Sequence, residues 1–464
     1  MSTPLYALSA QQLLAHYAAR TLSPVDVTAA VLARIEQFDP LIHATWAVDA
    51  EAALAQARAS EQRWARGTAG ELDGVPVTLK ENIATQGLPV PLGSASTALT
   101  PAPADAPAAA RLRQAGAVMV CKTTMPDFGL LGAAPSSFHP LTRNPWDTRR
   151  NTGGSSSGAG AAAAAGYGPL HVGTDIGGSV RIPAGFCGVF GLKPSYGRVP
   201  CVPAAPARVI GPITRTVTDA ALLMRAISHP DARDPTSLPP QAIDWLMLDR
   251  SPQGLRIGLW LEPAAPWKVD PEVQAAVQAA ARAFEQAGAI VEPVRDWTTP
   301  EMFLGMLNFF CMRCRTDLAA MPPERAARAA AYVHKAAAHA GTLSPEDTFA
   351  AFMQLQAMQA ATVAATQAYD YVLSPVSPGL PFAAEATSSQ GETPWKDAHF
   401  TAVFNHSGQP AASINCGHSR SGLPIGLQIA GRRFDDLGVL QMARFYETVR
   451  LPQPAWPEPA SPSA

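Results

Sequence analysis

Two turns rich in glycine and serine constrain this chain more than any other feature. The first reads Gly153-Gly154-Ser155-Ser156-Ser157-Gly158-Ala159-Gly160, and the second Gly173-Thr174-Asp175-Ile176-Gly177-Gly178-Ser179-Val180-Arg181-Ile182-Pro183. Between them, Ala161 to Gly166 carries no side chain larger than a methyl group. Glycine reaches backbone conformations closed to other residues and lets two backbones come close together. A helix of alanine and glycine therefore packs where a neighbouring backbone can approach it, inside a layered core.

Three readings compete for this segment. Gly158-x-Gly160-x-x-Ala163 satisfies a dinucleotide-binding pattern. That fingerprint requires a strand directly before it and an acidic residue at a second strand end about 20 residues on. Arg149-Arg150-Asn151-Thr152 does not read as a strand, and Asp175 falls in another glycine turn. A purely structural reading, tight turns around a close-packed helix, accounts for the glycines but not for two serine-bearing turns bracketing one segment. The third reading is nucleophilic catalysis, in which a serine hydroxyl needs a base and backbone N–H groups aimed at a developing oxyanion. Ile176, Gly177, Gly178 and Ser179 supply successive amides of that kind. No histidine lies within either turn and no Gly-x-Ser-x-Gly elbow surrounds Ser179, so the base is another residue.

Composition narrows the field. Among 464 residues, 35 Lys and Arg face 37 Asp and Glu, a net charge of −2, and charged residues make up 16%. Soluble domains carry roughly 25%. Neutralising phosphates needs a basic excess or patch, so no nucleic-acid partner is expected. At 47% apolar, the chain is not disordered and can build a core without disulfides or metal. The N-terminus lacks the basic start and apolar centre of a secretory signal, and the run from Ala159 to Gly166 is too short to cross a bilayer. A cytoplasmic protein with no membrane partner is the expectation. Six scattered cysteines read as free thiols. Cys311-x-x-Cys314 has no second pair, so no metal site is expected. His139, His171, His229 and His334 read as surface or packing residues.

Along the chain, Leu13 to Phe38 reads as two amphipathic helices with a cap at Ser23-Pro24-Val25-Asp26. A further helix runs from Glu51 to Arg66, where Gly67 stops it. Val75 to Lys80 reads as a short buried strand ending in lysine, Pro107 to Ala115 as helix, and Ala117 to Lys122 as strand. Leu255 to Leu259 (strand), Pro271 to Gln286 (helix), a largely helical Met302 to Phe352 and Tyr371 to Ser374 (strand) follow. This alternation predicts an α/β fold in one domain.

The two turns also resemble the hallmark of the amidase signature family, Gly-Gly-Ser-Ser-Ser-Gly followed by Asp-Ile-Gly-Gly-Ser-Val-Arg-Ile-Pro, and the spacing of Ser155 and Ser179 fits that family's pair of serines. Gly74-Val75-Pro76-Val77-Thr78-Leu79-Lys80-Glu81-Asn82 resembles its lysine segment, with Glu81 where Asp is usual. Ser157 likewise stands where glycine is usual in the first turn. Asn144-Pro145-Trp146-Asp147, Phe186 to Pro194, Gly211 to Asp219 and Gly422 to Gln428 extend the resemblance over most of the chain.

The resemblance implies a single domain over residues 1–464 with a mixed, mostly parallel central sheet covered by helices on both faces. N-terminal helices would occupy about 1–66, a catalytic core about 70–220, and a variable helical pocket region about 300–360. It implies a Ser–cis-Ser–Lys triad: Ser179 as nucleophile, Ser155 as bridging serine, Lys80 as base. The backbone at Ile176, Gly177, Gly178 and Ser179 would form the oxyanion hole. Ser156 would orient Lys80 or Ser155, while Asp175 and Arg181 would brace the loops. Burial at the end of an apolar strand would make Lys80 neutral and therefore basic. The implied reaction is hydrolysis of a small apolar or aryl amide or carbamate by water through an acyl-enzyme, with esterase activity as a side reaction and no cofactor. The resemblance also makes a homodimer reasonable. Two alternatives stand beside it: the glutaminase component of a tRNA-dependent amidotransferase, and an inactive homologue that only binds. The apolar stretch Met302 to Phe310 reads as ordinary core or as the wall of an apolar pocket.

Overall fold

The computed structural model describes residues 3–263, 267–389 and 396–460; the outermost residues of the 1–464 span lie outside it. The expected α/β alternation is present. Eleven strands form one sheet: β1 (Thr45–Trp46), β2 (Pro76–Lys80), β3 (Val118–Thr123), β4 (Leu170–Asp175), β5 (Phe190–Lys193), β6 (Val209–Thr214), β7 (Arg256–Leu259), β8 (Ile290–Pro293), β9 (Tyr371–Pro375), β10 (Ala411–His418) and β11 (Pro424–Gly431). Their spatial order is β1-β3-β2-β4-β6-β5-β10-β11-β9-β7-β8. The sheet is mixed. Parallel pairing joins β2 to β3 and β4 on one flank and β7 to β8 and β9 on the other. Antiparallel ladders through β6, β5, β10 and β11 connect the two flanks.

Local chemistry sets the helix ends. Ser9 and Gln12 form a reciprocal capping box ahead of Ala10–Ala18. Ser23 caps Pro24–Ile42 with Pro24 in the first turn, and Gly67 closes Ala50–Arg66 in the left-handed conformation at φ 71°. The helix Pro271–Gln286 begins at an Asp270 cap.

The helix Ser157–Ala165 is buried on all sides. Gly158 packs against the chain at Ala44 and Thr124, where a Cβ would lie 2.2 Å from the Ala44 carbonyl oxygen and 2.4 Å from the Thr124 nitrogen. Both contacts are backbone and cannot swing aside. Gly158→Ala is expected to cost about 1–3 kcal/mol or more through overpacking, seen as a lower urea midpoint at unchanged slope.

Candidate active site

Strands β2 and β4 are parallel neighbours, with Leu79 paired to Val172, so both end at the same edge of the sheet. Open α/β sheets place their ligand sites outside such carboxyl ends. Lys80 terminates β2, Thr174 and Asp175 terminate β4, and the serine turns lie over that edge.

Lys80 is fully buried. Its Nζ lies 2.7 Å from Ser155 Oγ and 3.1 Å from Thr174 Oγ1. Burial pushes its pKa down to about 7, with Asp175 and Glu81 opposing the shift and the Arg208 guanidinium adding to it. A lysine so placed is neutral in a large fraction of molecules at neutral pH and can accept a proton.

The Gly154–Ser155 peptide bond is cis, and Ser155 is buried. The Ser156 N–H donates to the Ser179 carbonyl at 3.1 Å and joins the two turns. Ser179 remains partly open to solvent. No hydrogen bond joins the Ser155 and Ser179 hydroxyls among the described residues. Gly129, at φ 64°, faces Ser155 closely: a Cβ there would lie 3.1 Å from Ser155 Oγ.

The second turn is wound around Asp175. Its carboxylate accepts from the N–H of Gly178 at 2.7 Å and of Val180 at 3.0 Å. This removes Gly178 from the expected set of oxyanion donors and leaves the N–H groups of Ile176, Gly177 and Ser179 as candidates. The physical reason is that an Asx-type turn uses that amide to set the loop's shape. Arg181 grips the same carboxylate through Nε and Nη2, both at 3.0 Å, and also donates to Gln428 and Asn405. Although burial pushes the Asp175 carboxyl up, Arg181 and the backbone donors hold it well below the usual carboxylate range. Both partners are wholly buried. Arg181→Met would leave Asp175 unpaired in the interior, so a loss of about 3–5 kcal/mol in unfolding free energy is expected. An unchanged chemical-denaturation midpoint would contradict this.

Ser156 does not orient Lys80 or Ser155 through its side chain. Its hydroxyl donates to the Thr174 carbonyl at 3.1 Å and accepts from the Thr174 N–H, so it fastens the first turn to β4. Thr174 takes the expected role instead. Its hydroxyl receives Lys80 and also the Asn82 amide at 3.0 Å. The sequence carried no separate signal for Thr174, because β4 is buried at every position and shows no alternation.

His139 is not a surface residue: it is buried, with Nε2 2.6 Å from Glu81 Oε2. His171 is buried on β4 between Thr78 and the Gly168 carbonyl. Burial lowers its pKa to about 3, so it is neutral and has both nitrogens engaged. Cys311 and Cys314 are free, buried thiols on the helix Pro300–Ala319, raised by burial to about 11 and about 12. Among the described residues no group of His, Cys, Asp and Glu has a metal-holding arrangement, and no helix is long and apolar enough to cross a membrane.

A narrow cleft of about 20 Å³ opens over Ser179. Leu130, Leu131, Ile176, Ile182, Phe310 and Ala398 line it together with glycines of both turns. Phe310 comes from the apolar stretch noted in the sequence, whereas Met302, Phe303 and Met306 pack into the core and Leu304 faces solvent. A larger open hollow of about 580 Å³ lies on the helix Pro345–Thr366, where no reacting group faces it.

The Amidase family profile matches residues 26–440. The chain belongs to that family and is an amidase-signature amidohydrolase. It is 34% identical to the A component of the glutamyl-tRNA(Gln) amidotransferase of Anaeromyxobacter sp. (strain K), over 99% of this chain and 100% of that protein. Against the same component from Moorella thermoacetica it is 35% identical, over 96% of each. Among solved structures it is similar to a bacterial aryl acylamidase (TM-score 0.88, 29% identity, 96% of this chain and 97% of that one). It is also similar to the peptide amidase of Stenotrophomonas maltophilia (TM-score 0.80, 26% identity, 98% and 99%).

Proposed function

We propose that this chain hydrolyses an amide bond through an acyl-enzyme on Ser179, and that its substrate presents an apolar or aryl group beside the scissile bond. The observation behind this reading is the wall of the cleft, which is made of aliphatic, aromatic and glycine residues with Ser179 as its reactive group. A carbamate or ester with the same apolar portion fits the same chemistry.

In the proposed sequence, neutral Lys80 accepts the Ser155 hydroxyl proton while Ser155 takes the proton of Ser179. Ser179 Oγ bonds to the carbonyl carbon, and the oxyanion is met by N–H groups from Ile176, Gly177 and Ser179. The relay then runs backwards. Ser155 delivers a proton to the leaving nitrogen and is reprotonated by Lys80, and the C–N bond breaks to give free amine and acylated Ser179. Water, deprotonated along the same path, releases the acid.

Because the base must be neutral, kcat/KM is expected to climb about tenfold per pH unit below a single ionisation near 7 and to level off above it. A profile that falls as pH rises through 7 would remove Lys80 as base. The substrate test compares an anilide, a primary aliphatic amide, an aryl carbamate and L-glutamine. Preference for the anilide or carbamate supports the apolar reading, and a clear preference for glutamine overturns it.

Glutamine is the second reading, and the sequence comparisons favour it. The relatives at 34% and 35% identity are both amidotransferase components, similar over nearly their whole length. On that reading the chain would supply ammonia from glutamine within tRNA-linked chemistry, and the expectation of no nucleic-acid partner would be replaced by a tRNA-bearing one. Glutamine hydrolysis that is stimulated by charged tRNA and partner proteins would support it.

A further inference from the structure

The cleft wall is apolar, but its rim is cationic. Arg313 stands one turn beyond Phe310 on the helix Pro300–Ala319, with its guanidinium carbon 5.0 Å from the centre of the Phe310 ring. Its Nη2 donates to the Phe128 carbonyl at 2.8 Å. Phe128, at φ 53°, leads directly into Gly129 and Leu130 of the cleft. Arg313 thus touches both the helix and the loop that form the wall, and its side chain keeps 23% of its surface.

Arg208 reaches the same rim from the other side. In the antiparallel ladder Asp175 pairs with Val209 and Thr174 with Ile210, so Arg208 follows on opposite Ile176, beside the candidate oxyanion donors. Arg208 stands directly before β6, and its guanidinium acts on Lys80. Its Nη1 donates to the Pro203 carbonyl at 3.2 Å. Ala207, at φ 61°, turns the chain just before it, and the Asn405 amide pins the Ala207 carbonyl at 3.2 Å. Asn405 also holds Asp175 and Arg181, so Arg208 emerges from a loop tied to the catalytic turn.

The two guanidiniums act on each other and on one carboxylate, Asp317, itself partly exposed and 4.0 Å from Arg313. The two guanidiniums outnumber that carboxylate beside the apolar wall of the cleft. Arginine presents a planar fork that matches a carboxylate and carries a weakly held hydration shell.

We infer that the substrate bears a carboxylate beyond its apolar portion, and that Arg208 and Arg313 receive it at the rim of the cleft. This rests on the reading that the cleft over Ser179 takes the scissile amide.

Binding is measured by calorimetry on the Ser179→Ala protein, which holds ligand without turning it over. Glutaric acid monoanilide is compared with pentananilide, and para-acetamidobenzoate with acetanilide, so that the carboxylate lies on the acyl or the amine side; L-glutamine is the remaining arm. In at least one pair the charged ligand is expected to bind about tenfold or more tightly than its neutral counterpart. Adding Arg208→Gln should remove most of that preference, and Arg208→Lys should retain part of it. Arg313→Gln is expected to act in the same direction; because Arg313 also holds the Phe128 carbonyl, Arg208→Gln decides if that variant fails to fold. Equal affinity within both pairs, a preference that survives Arg208→Gln, or glutamine binding that is tightest of all and unmoved by Arg208→Gln would overturn the inference. Turnover of the same amides by the unaltered protein separates the two proposals. Charged-ligand preference without turnover sinks the hydrolytic reading alone, and turnover without preference sinks the carboxylate rim alone.

Discussion

Ser179→Ala is expected to lower kcat by about 10⁶-fold, the scale of loss when a serine hydrolase is stripped of its nucleophile. Among the described residues, no other group at the cleft can take over. Ser155 is buried and committed to Lys80, and both nearby thiols are buried and held protonated. Among the described residues at the cleft, Ser179 alone combines a hydroxyl with partial exposure and a position among free backbone donors. The change removes one oxygen from a partly open site, so the denaturation midpoint should hardly move. A serine-directed acylating probe should add its mass to the unaltered protein and not to the variant. Labelling that persists in the variant, or activity within a hundredfold of the original, would mean that another residue attacks.

Lys80→Met carries the second largest effect, about 10³–10⁴-fold in kcat/KM, the upper range for losing a positioned base. Methionine fills much of the same volume without a titrating group, so the comparison isolates the amine. Stability gives an independent check. The folded-state pKa of about 7 lies below the ordinary lysine value, so in the window from 7 up to that value the unfolded chain binds the extra proton. Stability therefore rises with pH through that window, and the full penalty of burying a charged amine is present below 7. The variant lacks this term, so its stability relative to the unaltered protein should improve as pH falls from 10 to 7, while activity stays low throughout. A pH-independent stability difference would show that the Lys80 amine is not depressed.

The outer parts of the fold were legible from residues alone, because local chemistry writes them. Caps at Ser23 and Gly67 and the apolar period of Pro271–Gln286 are short-range signals, and those helices sit where the sequence places them. The middle of the sheet was not legible in the same way. Strands β5, β6 and β11, and β10 as far as Asn415, are buried on both faces. They show little alternation, and the pairing of β5 with β10 joins segments more than two hundred residues apart. The helix Ser157–Ala165 could be read only as close-packed; that it meets Ala44 and Thr124 depends on where β1 and β3 lie.

The candidate site divides along the same line. By itself, the sequence determined the residue types and their order: two serines in glycine turns, an apolar strand ending in lysine, an Asp and an Arg flanking the second turn. The resemblance singled out Lys80, but the physical reason that it meets a serine, where two similar lysines do not, lies in the tertiary structure. Lys80, Lys122 and Lys193 are all buried in strands and all lowered by burial to about 7. Lys122 turns to the Ile83 carbonyl and Thr85, and Lys193 to the Pro194 carbonyl, whereas Lys80 alone points at Ser155. Desolvation makes an amine basic wherever it is buried, and only the parallel pairing of β2 with β4 sets one such amine beneath a hydroxyl.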